Sequence, residues 1–276
     1  MQVNGFRSKA QALRHIAGLG IKIDGLLSDP ESNPKVAKNG KLGVLASPLH
    51  LAPARLSGFN VCAQASLGCT AACLHTAGNP AYMAGKTQAR INRTLAYFKA
   101  RAAFMAVFAF EVLALSQKAL AFNMDSAARP NATSDIPFEL IGLEIDGMQH
   151  ANIFDAFPHV SFYDYTKITK RALRHANGLL PANYHLTFSR TESNHADCLR
   201  VLESGGNVAM VFRKGLPESY TGFPVIDGDV TDYRPADPSG CIVGLKAKGK
   251  AKGDVSGFVI DTPTQGKGKK HILQEA

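Results

Sequence analysis

Three cysteines within twelve positions, Cys62, Cys69 and Cys73, are the residues of this sequence best suited to chemistry. A loop carrying three thiolates can wrap one iron-sulfur cluster and leave one iron open to a further ligand. An open coordination position is what separates a reactive metal from a purely structural one. Gly68 and the alanines around the cysteines let the backbone approach an inorganic core. Two other readings stand beside this one. Cys62, Cys69, Cys73 and His75 form an alternative structural zinc set, although the six-residue gap between the first two thiols is looser than the two to four usual in zinc knuckles. A thiol without metal also packs well as a small hydrophobe.

Polar residues gather where strands are expected to end. Asp164, Tyr165 and Lys167 are the expected catalytic group, with Lys167 placed to hold a carboxylate or phosphate and Tyr165 to stack or donate a phenolic proton. Asn131, Ser134 and Asp135 can bond a ribose or amino-acid moiety, or equally form an Asx-type turn. Ser189 and Arg190 follow a later strand, and the Arg190 fork suits an anion. These five residues are the expected cofactor-binding set. Asp227, Asp229 and Asp232 bring three carboxylates within six positions, the makings of a divalent-metal nuclease or of an acidic turn. The sequence has no H-E-x-x-H, no G-x-x-x-x-G-K-[ST] and no G-x-S-x-G, which sets aside zinc proteases, P-loop NTPases and serine hydrolases.

The elements that must position these residues are legible in the periodicity. Ser8 to Leu19 predicts a short capped helix, and Ala84 to Phe122 one long or two consecutive amphipathic helices. Strands are expected over 42–51, 160–165, 184–189, 208–212, 224–226, 241–245 and 257–260, with helices over 170–179 and 195–202 between them. That alternation predicts an α/β fold with mostly parallel strands and crossover helices, in which ligands collect at the carboxyl ends of the strands. The expected organisation is an N-terminal decoration over 1–40, an α/β domain over 41–262 and a basic tail over 263–276.

With 276 residues, 45% of them hydrophobic and 19% charged, the chain is globular. Its longest apolar stretch, Ala102 to Leu115, contains Glu111 and is short for a bilayer, so no membrane association and a cytoplasmic location are expected. The formal charge of +9 is concentrated outside the central part of the chain: residues 61–245 carry sixteen basic and sixteen acidic groups. Such a distribution is compatible with a nucleic-acid partner bound through the basic termini. The alternating Lys246, Lys248, Lys250 and Lys252 would line one face as a strand, a sequence-blind phosphate track. Nothing in the sequence fixes an oligomeric state.

The segments SGFNVCAQASLGCTAACLHTAG, FYDYTKITKRAL, LPANYHLTFSRTES and VIDGDVTDYRPADPSGCIVGLKAKGKAKGD resemble the phage protein family named for gene product 88. Cysteines in the loop after a first strand of an α/β chain also resemble the radical S-adenosylmethionine (SAM) superfamily, whose gaps are three and two residues where this chain has six and three. The first resemblance implies a phage or prophage setting. The second implies a partial (β/α) barrel in which Cys62, Cys69 and Cys73 hold a [4Fe-4S] cluster. In that superfamily the fourth iron chelates SAM, and reduction cleaves it to a 5′-deoxyadenosyl radical that acts on a substrate, here a large one such as nucleic acid.

Overall fold

The computed structural model describes residues 1–30, 38–73 and 83–261; His75 and the expected tail over 263–276 lie outside them. Helix α1 (Lys9–Gly18) starts where Ser8 accepts a hydrogen bond from the backbone N–H of Gln11. Its Ala12 and Ile16, with Val3 before it, are fully buried, so the N-terminal segment shares the main core. Strand β1 (Val44–Pro48) leads into the cysteine segment, which carries the short helix α2 (Leu67–Ala71). The expected helical stretch after it is two helices, α3 (Ala84–Lys99) and α4 (Arg101–Ala121), parted where Ala100 leaves the helical conformation.

Helix α4 is not amphipathic in its first half, because Ala103 through Ala109 are all buried. By length and composition it could cross a membrane, but most of its apolar stretch is inside the fold, packed on α1 and on the sheet. Its one acid, Glu111, accepts the backbone N–H groups of Leu26 and Leu27 at 2.9 and 2.7 Å and pairs with Lys9 at 2.6 Å. A side chain at Gly25 would collide with that carboxylate, its Cβ lying 2.4 Å from Oε1.

The remaining elements are β2 (Asp125–Arg129), the hairpin β3 (Leu143–Ile145) and β4 (Met148–His150), α5 (Ile153–Ala156), β5 (Ser161–Thr166), α6 (Thr169–Ala176) and β6 (Tyr184–Ser189). They continue with α7 (His195–Glu203), β7 (Asn207–Phe212), β8 (Ser219–Tyr220), β9 (Phe223–Asp227), β10 (Ile242–Lys246) and β11 (Val259–Ile260). Strand β2 was not expected: Asp-Ser-Ala-Ala-Arg has no β-branched residue. It forms because β1 and β5 pair with it in parallel on its two edges, where Ala127 and Ala128 are fully buried.

The main sheet runs in the order β1-β2-β5-β6-β7-β10-β9-β8 and is parallel except for β8. Among the described residues β1 and β8 are its two edges and do not pair, so the mostly parallel α/β sheet expected from the sequence is present as an open sheet and not as a closed barrel. Leu45, Ala128, Phe162, Tyr184 and Leu186 face the helices, and by alternation Val44, Ala46, Ala127 and Tyr163 face the other way. That second, inner face is covered by the loop over 228–240, whose Tyr233 hydroxyl lies 3.2 Å from that of Ser161. Strands buried on both faces read as apolar runs, which is why most were legible.

Strand β7 departs from regular sheet order. Strand β10 pairs along one edge from Val208 to Phe212, while the other edge takes β6 as far as Ala209 and then β11 at Val211 and Phe212. Strand β6 ends at Ser189 while β7 runs on to Phe212, and β11 takes the edge of β7 that lies beyond β6.

Ala128 leaves no room for a larger side chain between α4 and the sheet. Ala128→Ile is expected to lower stability by about 1–3 kcal/mol in urea unfolding through overpacking, with the fold retained.

Candidate functional site

The cysteine segment lies at the carboxyl end of the parallel strands, held by residues that follow β6 and precede β11. Glu192 accepts from the Ser66 hydroxyl at 2.6 Å and from the Gly68 N–H at 2.9 Å, and Ser66 caps α2 by accepting from the Cys69 N–H. Burial works to raise the Glu192 pKa, but these two hydrogen bonds outweigh it and hold the carboxyl below its ordinary value. A Cβ on Gly68 would lie 2.2 Å from Ser256 Oγ, 2.8 Å from Phe258 Cβ and 2.9 Å from Glu192 Oε2. Glycine is therefore required at the point where the cysteine helix meets the C-terminal strap.

Cys62 sits deeper. Its Sγ takes the Ala54 N–H at 3.5 Å, and burial pushes the thiol up to about 11, with the charge of Cys73 adding to the rise and Lys167 opposing it. Cys73 is also felt by Arg90, and Arg90 by Arg93, so the two thiols lie within the field of several cations. At the ends of β1 and β2 stand two residues that sequence reasoning gave no role, His50 and Arg129. His50 is pushed down to about 3, by burial first and then by Arg90, Arg129 and Arg93. Arg129 pairs with Asp232 through Nη1 at 3.2 and 3.0 Å and covers the Tyr165 ring at 4.8 Å. The signal for His50 was its place two residues beyond Pro48, in step with the inward positions of β1.

The other expected site residues form a buried network behind this end. Asp164 accepts from the Asn131 backbone at 2.6 Å, the Asn131 amide at 2.8 Å and the Tyr184 hydroxyl at 3.0 Å. Burial raises its pKa to about 7 against the pull of Asn131. Asn131 Oδ1 accepts from Ser134 and from the Ile136 N–H. Asp135 accepts the Lys167 backbone N–H at 2.8 Å and pairs with Arg171, which also grips Glu139 through Nε at 2.6 Å and Nη2 at 2.9 Å. Asn131, Ser134, Asp135 and Asp164 thus spend their hydrogen bonds internally and position the loop that carries Lys167. Arg190 donates to the carbonyls of Gly257 and Phe258, fastening the strap, and Ser189 offers its carbonyl to Asn194. Tyr165 lies under Arg129, with burial pushing its hydroxyl up to about 12.

Among the described residues no three His, Cys, Asp or Glu side chains gather as a metal site would require. A family model described as gene product 88 matches residues 26–262. The chain belongs to that family of phage proteins. No curated protein and no solved structure matches it.

The gene product 88 fold also corrects two expectations from the sequence. The three aspartates that suggested a divalent-metal nuclease are each neutralised separately: Asp227 pairs with Lys246 at 3.0 Å, Asp229 with Lys248 at 2.7 Å, and Asp232 with Arg129. The alternating lysines form no continuous track, because β10 stops at Lys246 and a 3-10 turn over Gly249–Gly253 follows, pinned by buried Ala251. Support for the radical SAM resemblance is lacking in the open sheet and the ungathered thiols alike.

Arg171→Met removes the cation between Asp135 and Glu139, and a loss of about 3–5 kcal/mol in denaturant unfolding is expected from the carboxylates left buried. His185, on β6, is pushed down to about 4 by burial, then by His175 and Arg234. Between about 4 and the ordinary 6.5 the unfolded chain binds a proton that the folded one refuses, so stability falls as pH drops through that window. His185→Gln is expected to flatten this part of the thermal-unfolding pH profile.

Proposed function

We propose that this gene product 88 protein is an enzyme of the phage-infected cytoplasm working at the carboxyl end of its sheet. In this reading Cys62, Cys69 and Cys73 hold an iron-sulfur cluster and SAM is the co-substrate. What supports it is that Cys73 and Lys167 both act electrostatically on the Cys62 thiol, and Cys73 on Arg90, so that two of the three thiols and two cations share one region. Cys69 lies on α2, and Cys73 follows two residues beyond its end. The donor set fits such a group in kind, since nearby cations offset the negative charge that three thiolates bring. In position it is not closed. A bound cluster would supply an open iron and an electron; the chain's own part is to hold the cysteine helix through Glu192 and to present Lys167 and Tyr165 to an anionic group. Asp164, its oxygens taken by Asn131 and Tyr184, acts as a positioning residue.

A second reading, a nucleic-acid-binding protein without a working cluster, is favoured by Lys250 and Lys252, both exposed on the turn that Ala251 anchors. Anaerobic purification followed by iron, sulfide and zinc quantitation separates the two. About four irons and four sulfides per chain, with an absorption change on adding SAM and loss of both in the C62A/C69A/C73A variant, are expected. One zinc or no metal, with DNA or RNA binding that falls steeply with salt, would overturn the enzyme reading in favour of the second.

A further inference from the structure

A solvent-open cavity of about 340 Å³ is lined by residues of α6, of the turn after it and of α7. That turn is a Schellman motif: the Gly178 N–H bonds the His175 carbonyl at 2.9 Å, the Leu179 N–H bonds the Arg174 carbonyl at 2.8 Å, and Gly178 takes a φ of 67°. The motif turns Leu179 back toward Leu173, and both line the cavity, yet Leu179 keeps 63% of its surface exposed. Around these leucines stand Thr169, Lys170, Arg174 and Arg200, so the lining holds three cations and no carboxylate. Asp197 on α7 accepts from the Thr169 hydroxyl at 2.9 Å and pairs with Arg200, which ties the two helices together. Helix stability accounts for only part of this charge. Arg174 suits the last turn of α6, where it donates to the Leu179 carbonyl at 3.2 Å. Lys170 does not suit the first turn, where the helix dipole disfavours a cation and no acid stands beside it. Lys170 and Arg174 are also four residues apart, the spacing at which like charges meet on one helix face and repel.

We propose that this groove docks an acidic peptide segment of a partner protein, with an aliphatic side chain seated on Leu173 and Leu179 and carboxylates on Lys170, Arg174 and Arg200. The lining runs from Thr169 to Asn177 along α6, about 12 Å at the rise of a helix, which matches about four residues of extended chain. The forks of Arg174 and Arg200 suit carboxylates, and the leucines suit the apolar side chain between them. No aromatic ring lines the cavity, so it lacks the stacking platform on which proteins hold single-stranded bases. The Arg200–Asp197 pair is solvent-exposed, hence weak, and Arg200 can exchange it for a partner's carboxylate. The inference rests neither on the cysteines nor on the enzyme reading.

The test is fluorescence anisotropy of the full chain with a labelled synthetic peptide that carries one leucine between pairs of glutamates. Its counterpart with glutamines and a single-stranded oligothymidylate are measured beside it at constant ionic strength. The glutamate peptide is expected to bind at least tenfold more tightly than either. Lys170→Glu puts an acid where the helix dipole favours one, so the thermal-unfolding midpoint is expected to hold or rise while peptide binding weakens about tenfold or more, the usual worth of a hydrogen bond to a charged group. A purely structural lysine would not part the two readouts in this way. Leu179→Ser, at an exposed position, is expected to weaken binding with the fold retained. No binding of the glutamate peptide, equal binding of the glutamine peptide, or binding unchanged in Lys170→Glu would overturn the proposal. Tighter, Lys170-dependent binding of the oligothymidylate would also overturn it and give the groove to nucleic acid.

Discussion

Arg171 donates to both oxygens of Glu139, to Asp135, to the Thr166 hydroxyl and to the Tyr184 hydroxyl, which uses all five of its N–H groups. Tyr184 in turn donates to Asp164, and Asp164 holds both the backbone and the side chain of Asn131. One guanidinium on α6 thereby ties the segment over 131–139 to the ends of β5 and β6. The connection matters because that segment reaches the cysteines: the Asp135 N–H bonds the Val61 carbonyl, and the Thr133 carbonyl lies 3.8 Å from Cys62 Sγ. Burying so many charges is costly, and breaking one partner would strand the others, so the network behaves as a unit. The position of Cys62 and the direction in which Lys167 leaves β5 both follow from it.

Much of the scaffold was legible because parallel strands covered on both faces leave an apolar trace. Tyr184–Ser189 and His195–Glu203 appear almost where alternation and helical spacing put them, and the cysteine segment stands at the expected carboxyl end. Strand β2 escaped because its two alanines are chosen by the lack of space between neighbours far away in sequence, a constraint that local propensity does not carry. The polar groups show the same division. Asn131, Ser134 and Asp135 were recognisable as a cluster, but whether they face a ligand or one another depends on Asp164 and Arg171, more than thirty positions on for Asn131 and Asp135. Glu139 and Arg171 carry no local signal at all, being an ordinary acid and an ordinary base until the fold buries them together.

The open sheet explains how the acidic loop is used. A sheet that does not close leaves its inner face to be covered by something else, and the loop after β9 returns across it. Asp232 reaches Arg129 on β2, Tyr233 reaches Ser161 on β5, and Asn39 before β1 accepts from Thr231 and from the Asp232 N–H. Further along, Arg234 is fully buried and pairs with Asp237 at 3.1 Å, whose carboxyl is pushed up to about 6 by burial despite that pairing. The aspartates that looked like metal ligands in the sequence are thus each matched by a base, Asp232 by Arg129 beneath the loop and Asp227 and Asp229 by the exposed lysines Lys246 and Lys248.

The use of β11 on the edge of β7 beyond the end of β6 has a temporal side. Ser256 and Phe258, which meet Gly68, and β11, which pairs with β7, come far later in the chain than the cysteines. While the protein emerges from the ribosome, β1 through β7 can pair and Glu192 can hold the cysteine helix before the segment over 252–258 arrives and Arg190 and Arg213 take its carbonyls. The last strand of the described chain to be made is therefore the one beside the residues that seat the cysteine helix, so its seat is completed only after nearly the whole sheet has been synthesised.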